Sequence, residues 1–207
     1  MSFEQNERDI AARMAQTVGT APRIAPLPED NLPPEAEEAA VEIRAAFGMP
    51  ETGFMPESFR QMLVHPGLFR GQMAIGIALA ASAIPARERE LAILRNAWIC
   101  RAPYEWGEHV EMGKKRCGLT TEEVERCTVG SSAEGWNEHE RAIMQGVEEL
   151  HADYAMSDET WTTLAKTWND KQMMEFPVLI GVYTTTAMQQ NSVRFRLDGN
   201  NPGLTHR

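Results

Sequence analysis

The sequence predicts an all-α protein. Three observations carry this. Apolar residues recur at helical spacing through most of the chain. Prolines and capping residues mark helix starts at short intervals. No run alternates apolar and polar residues over a convincing strand length. The chain has 207 residues, 43% of them hydrophobic, which suits one domain with a sizeable core.

Residues 1–33 read as an N-terminal arm. Pro22, Pro26, Pro28 and Pro33 punctuate its second half, and its apolar periodicity is weak. The expectation is an extended segment that docks on the body or on a neighbouring subunit. A helical domain follows over 34–196. PEAEEAAVEIRAAFG opens on Pro34, carries acids in its first turn and ends on glycine. Residues 51–56 read as a loop. Ser58 to Val64 is a short helix stopped by His65-Pro66. Gly67 to Ser82 is apolar nearly all round, as a core or interface helix would be.

Pro85 opens a helix to about Arg101. Pro103 breaks it and starts the next, which runs to Cys117 and ends at Gly118. Thr120-Thr121-Glu122-Glu123 is a capping-box start. Asn137 to Asp153 is amphipathic. Ser157 caps a helix to about Trp168. Asp170 opens the last long helix, to about Phe195, with Pro177 as a kink. Residues 197–207, rich in Gly and Asn, read as a loose tail.

The formal net charge of -10 disfavours a phosphate backbone as partner, so nucleic acid is not expected. Lys114-Lys115-Arg116, the only basic run of three, suits a solvated helix face. The N-terminal stretch has no apolar leader core, and no run is long enough to cross a bilayer. Three cysteines, Cys100, Cys117 and Cys127, without a CxxC pair, suit a reducing cytoplasm.

The chemistry concentrates in residues 87–110. Glu90 shares a helix face with Leu94 and Ala97, so it points where core residues point. A carboxylate there is either paired with Arg87 or Arg95, exposed after all, or a buried proton carrier with a raised pKa. Glu105 and His109 lie four residues apart on one face. This is either an ordinary helical ion pair or a carboxylate that fixes an imidazole for base catalysis. Tyr104 offers a phenol to a substrate oxygen. Trp106 is a substrate-wall candidate, though such aromatics are more often packing anchors. Cys100 reads as a small buried hydrophobe. The HExxH spacing, a glycine-rich phosphate loop and an ordered Ser-His-Asp set are all missing, so no metal or cofactor is expected.

RERELAILRNAW, YEWGEHV and CGLTTEEV closely resemble the carboxymuconolactone decarboxylase family, which shares the all-α bundle of the alkylhydroperoxidase AhpD. The likeness extends over roughly residues 35–195 and is specific over 87–123; the helical pattern itself gives roughly eight helices. The peroxidase branch of that fold carries Glu, then CxxC, then His. Glu90 and His109 match its Glu–His relay, while the two cysteine positions fall on Ala102 and Glu105. The resemblance therefore implies a cofactor-independent proton-transfer enzyme, a decarboxylase, lyase or isomerase acting on a small unsaturated lactone or organic acid. In that reading His109 is the acid–base, Glu105 orients it, and Glu90 is its relay partner. Tyr104 binds the lactone oxygen, and Arg95 or Arg101 holds a carboxylate. A peroxiredoxin-type antioxidant peroxidase is the alternative, set against by the missing cysteines. A non-enzymatic ligand-binding helical oligomer is the third reading. The apolar Gly67–Ser82 helix and the methionines point to a homo-oligomer, and the resemblance implies a dimer, trimer or hexamer.

Overall fold

Local side chains set most helix ends in this chain. The computed structural model describes residues 3–19, 21–46, 48–50 and 52–207. Among these lie ten α-helices: α1 Phe3–Thr17, α2 Pro34–Ala46, α3 Glu57–Met62, α4 Pro66–Ala80, α5 Ala86–Ile99, α6 Pro103–Cys117, α7 Thr121–Val129, α8 Glu138–Asp153, α9 Asp158–Ala165 and α10 Asp170–Val193. No strand occurs among the described residues. Full capping boxes close the starts of α7 (Thr120 with Glu123), α8 (Asn137 with Glu140) and α10 (Asn169 with Gln172). Each such cap contributes about 1 kcal/mol by satisfying amide groups the helix leaves bare. Gly118, at φ 67°, ends α6 in the left-handed region that glycine enters freely.

Helix α5 is the centre of the domain. It packs against α6, α7, α8 and α10. Leu91, Ile93, Leu94 and Ala97 are completely buried on it, and Trp106, Val110, Ile143, Val147, Leu164 and Phe176 fill the space around them. A smaller core joins α2, α3 and α4 through Ala39, Ala40, Ile43, Leu63 and Phe69. The site described below lies between these two bodies of apolar side chains.

Three expectations need correction. The arm is not extended throughout: α1 occupies residues 3–17, the element the sequence reading passed over. Its apolar stripe is short, so periodicity alone gives little signal, yet Ile10 and Met14 pack against the main core. Arg13 ties it down further, donating to the backbone carbonyls of Cys100 and Arg101. With α1 counted, and every short helix, the bundle has ten helices rather than about eight. The tail is not loose: Leu204 is 2% exposed, and the carbonyl of His206 accepts the Trp106 indole N–H at 3.0 Å. Its glycine and asparagine serve a docked turn, where Gly203 sits at φ 63° against Met14 and Pro103.

Helix α4 was expected as a core or interface helix. Of its apolar residues only Phe69 and Leu79 are buried, while Leu68, Ile75 and Ile77 are about half exposed.

Candidate active site

The α5–α6 corner builds the site. Helix α5 closes at Cys100, Arg101 turns the chain in the left-handed region at φ 48°, and Pro103 starts α6 with its fixed φ. The reversal lays α6 back along α5, so side chains nineteen positions apart meet. His109 Nδ1 is 2.8 Å from Glu90 Oε2. Within α6, His109 Nε2 is 3.2 Å from Glu105 Oε1, one helical turn away. From α10, Gln190 Nε2 donates to Glu105 Oε2 at 2.7 Å. The Tyr183 ring stands edge-on to the imidazole, centroids 5.2 Å apart.

All four polar members of this chain are buried: Glu90, Glu105, His109 and Gln190. Burial opposes charge on the imidazole. The hydrogen bonds to Glu105 and Glu90 outweigh it and push the His109 pKa up to about 10. At neutral pH His109 is therefore an imidazolium donating from both nitrogens, held between two carboxylates. Glu90 pairs with neither nearby arginine. Arg87 is taken by Glu123 and Glu140, and Arg95 by Glu148.

Glu105 and His109 open onto a cavity of about 570 Å³ walled by α3, α4, α6 and α10. Apolar side chains such as Met62, Met73, Leu79 and Val182 form most of its surface. Among the described residues no lysine or arginine lines it. Tyr104 reaches the same cavity, 3.0 Å from both Ser58 Oγ and Asp198 Oδ2. A phenol has one proton, and the carboxylate of Asp198 is its stronger acceptor, so Ser58 donates back. Burial keeps that phenol protonated.

The residues assigned to substrate binding from sequence lie elsewhere. Arg95 bonds Glu148 and the carbonyls of Cys127 and Thr128. Arg101 donates to the carbonyl of Asp9 on the α1 side. Both line a different surface depression. Trp106 is completely buried against Trp98, with the docked tail over its N–H, and is a core residue. Tyr104 does not hold a free donor for a lactone oxygen, because its hydroxyl already donates to Asp198. Conversely, Tyr183 and Gln190 belong to the site and were not singled out. Tyr183, Thr186 and Gln190 fall at i, i+3, i+7 on α10, one face of a helix whose other faces also carry polar residues, so spacing alone does not mark them.

The thiols are poor nucleophiles. Burial raises Cys100 to about 11 and Cys127 to about 12, and raises Cys117 as well. Cys100 faces His151 across 4.0 Å in a separate cavity. Among the described residues no group of three or more His, Cys, Asp or Glu side chains is placed to hold a metal ion, and no helix is long and apolar enough to cross a membrane.

Fold and site together define an all-α domain with a buried carboxylate–imidazole–carboxylate chain at the wall of an apolar cavity. Residues 66–149 match the model of the Carboxymuconolactone decarboxylase family. The fold recurs in solved structures of low identity. An uncharacterized peroxidase-related protein from Ralstonia eutropha, with an alkylhydroperoxidase AhpD core, superposes with a TM-score of 0.68 at 15% identity, covering 86% of this chain and 94% of that one. The debrominase Bmp8 gives a TM-score of 0.67 at 13% identity, over 86% of this chain and 92% of its own. A protein of unknown function from Agrobacterium tumefaciens gives 0.61 at 22% identity, over 66% and 94%. No curated protein matches the chain. The family match covers residues 66–149, less than half of the chain, and the solved structures share the AhpD-like fold over most of it; together they support a carboxymuconolactone decarboxylase/AhpD-like kinship.

Proposed function

We propose that this protein is a cofactor-independent enzyme that moves a proton on a small organic molecule, with Glu105 as the group that meets the substrate. One observation carries the reading: the Glu90–His109–Glu105 chain is buried, continuous and ends on the cavity wall. Both imidazole nitrogens are occupied by carboxylates, which leaves His109 no free lone pair to act as a base. Glu105 stands at the second cysteine position of the related peroxidases. Its oxygens each accept one protein hydrogen bond and retain a further lone pair.

The chemistry then runs in two balanced halves. The Glu105 carboxylate takes a proton from a substrate carbon or heteroatom, and the electron pair stays on the substrate as an enolate-like anion. The adjacent imidazolium stabilises that negative charge, and Glu90 holds the imidazolium in place. Glu105 returns the proton at a different atom, completing an isomerisation, or the pair on the substrate forms a new π bond while a leaving group departs with its own bonding electrons and takes up the proton from Glu105, completing an elimination. Among the described residues no arginine stands in the cavity to grip an organic acid, so the support extends to proton transfer rather than to lactone decarboxylation.

A peroxidase reading draws support from the AhpD-type neighbours but finds no thiol at the site. The debrominase neighbour has also been crystallised, as a cysteine variant, with 2,3,4-tribromopyrrole. No corresponding thiol faces the cavity here.

Deuterium exchange into a panel of uncharged unsaturated lactones and ketones that carry a hydroxyl, followed by NMR in heavy water without metal or reductant, tests the proposal. Wild type exchanges the acidic C–H of an accepted compound. Glu105→Gln and His109→Gln each reduce that rate by at least about 100-fold. Exchange unchanged in Glu105→Gln removes the proposed role, and turnover confined to hydroperoxide plus dithiol replaces it with thiol chemistry.

A further inference from the structure

We infer that the cavity takes an uncharged, largely apolar molecule presenting a hydroxyl or N–H donor to Gln190, and that it rejects carboxylates. The inference rests on the same cavity being the active site and deepens that reading by naming the ligand class.

The charge balance of the walls comes first. One imidazolium stands against two carboxylates in the buried chain, and among the described residues no lysine or arginine lines the cavity. A carboxylate entering this space would lose its hydration without gaining a cation, and would face Glu105 directly. Burying an unpaired charge under those conditions is strongly unfavourable.

The unmet hydrogen bonds come second. Gln190 is 8% exposed and spends its Nε2 on Glu105, while its Oε1 is buried without a partner. Gln72 Oε1, on the opposite wall from α4, is buried without a partner too. Buried acceptors left unpaired are costly, and both belong to residues that line the cavity. The Tyr183 phenol makes no hydrogen bond among the described residues. Burial and the nearby Glu105 and Glu90 charges keep it protonated. The site thus offers acceptors and one donor in an apolar enclosure. A neutral hydroxyl satisfies both kinds, whereas a carboxylate can only accept.

Isothermal titration of the full chain at neutral pH with three matched probes tests this: 4-ethylphenol, its methyl ether 4-ethylanisole, and 4-ethylbenzoate. The phenol is expected to bind at least about tenfold more tightly than either of the others, since one loses the donor and the other carries the charge. A benzoate or anisole affinity equal to that of the phenol overturns the inference, as does no binding of the phenol at millimolar concentration. Gln72→Arg, on the half-buried wall of α4, places a cation at the cavity. It is expected to shift the benzoate-to-phenol affinity ratio by about tenfold or more toward benzoate. An unchanged ratio means that wall charge does not set selectivity. Binding is read without turnover, so the phenol preference can hold while deuterium exchange fails, and the reverse.

Discussion

His109 shows how two neighbours reverse the effect of burial. An imidazole in an apolar interior is ordinarily neutral; this one is flanked by two carboxylates that favour its charged form. The consequence for stability has a definite sign. The folded pKa, about 10, lies above the ordinary value of 6.5, so the folded state holds this proton more tightly than the unfolded chain does. The stabilisation is fully present below about pH 6.5 and is lost as pH rises toward about 10. Urea denaturation across that window should show the wild-type midpoint falling with pH. His109→Gln should remove this part of the slope, and an equally steep slope in the variant would show that the proton resides elsewhere.

Between elements, the C-terminal segment is locked onto α6 by Asn201. Asn201 Nδ2 donates to the carbonyl of Tyr104 at 3.1 Å and to Glu108 Oε1 at 2.9 Å, and its Oδ1 accepts from Gly203 N at 2.8 Å. These bonds hold the amide directly over Gly107. A β-carbon there would lie 1.7 Å from Asn201 Oδ1. Gly107→Ala should therefore displace the tail and cost about 1–3 kcal/mol, with Trp106 fluorescence shifting as its cover is lost. Normal stability and an unshifted spectrum would show that the tail can move aside freely. Thr120→Ala removes one half of the α7 capping box and should cost about 1 kcal/mol without touching the site.

The whole molecule is clasped from both ends. Helix α1 packs on α10 and on the turn at residues 203–205, so the first and last segments of the chain meet beside α6. Deleting residues 1–33 exposes the surface beneath Ile10 and Met14 and should lower the Tm by about 5 °C or more. An unchanged Tm would mean that α1 contributes little to this fold. A second prediction belongs at this scale. Met174 and Val178 of α10 and Ile75 of α4 leave an exposed apolar face next to the cavity. Met174→Glu should lower the mass measured by sedimentation if this face joins copies of the chain, and an unchanged mass would remove it as an interface.

The helices from α2 onward were legible in the sequence, because their signals are local. Pro34, Pro103, Thr120, Asn137, Ser157 and Gly118 act within a few residues of themselves, and the starts and stops they mark fall close to the observed ones. The sequence also placed Glu105 and His109 on one face, since helical spacing is a property of the helix alone. Only the tertiary structure decided what those groups face. Whether Glu90 meets Arg87, Arg95 or His109 depends on how α6 returns along α5, and the turn at Arg101 sets that. Arg95 and Arg101 lie near the site in sequence but point to other surfaces, whereas Gln190 reaches Glu105 from 85 positions away. Trp106 adjoins Glu105 in the chain yet faces the core, because neighbours on a helix diverge by about 100°. Charge and hydrogen-bond balance in a cavity is a sum over four helices, and no single stretch of sequence contains it.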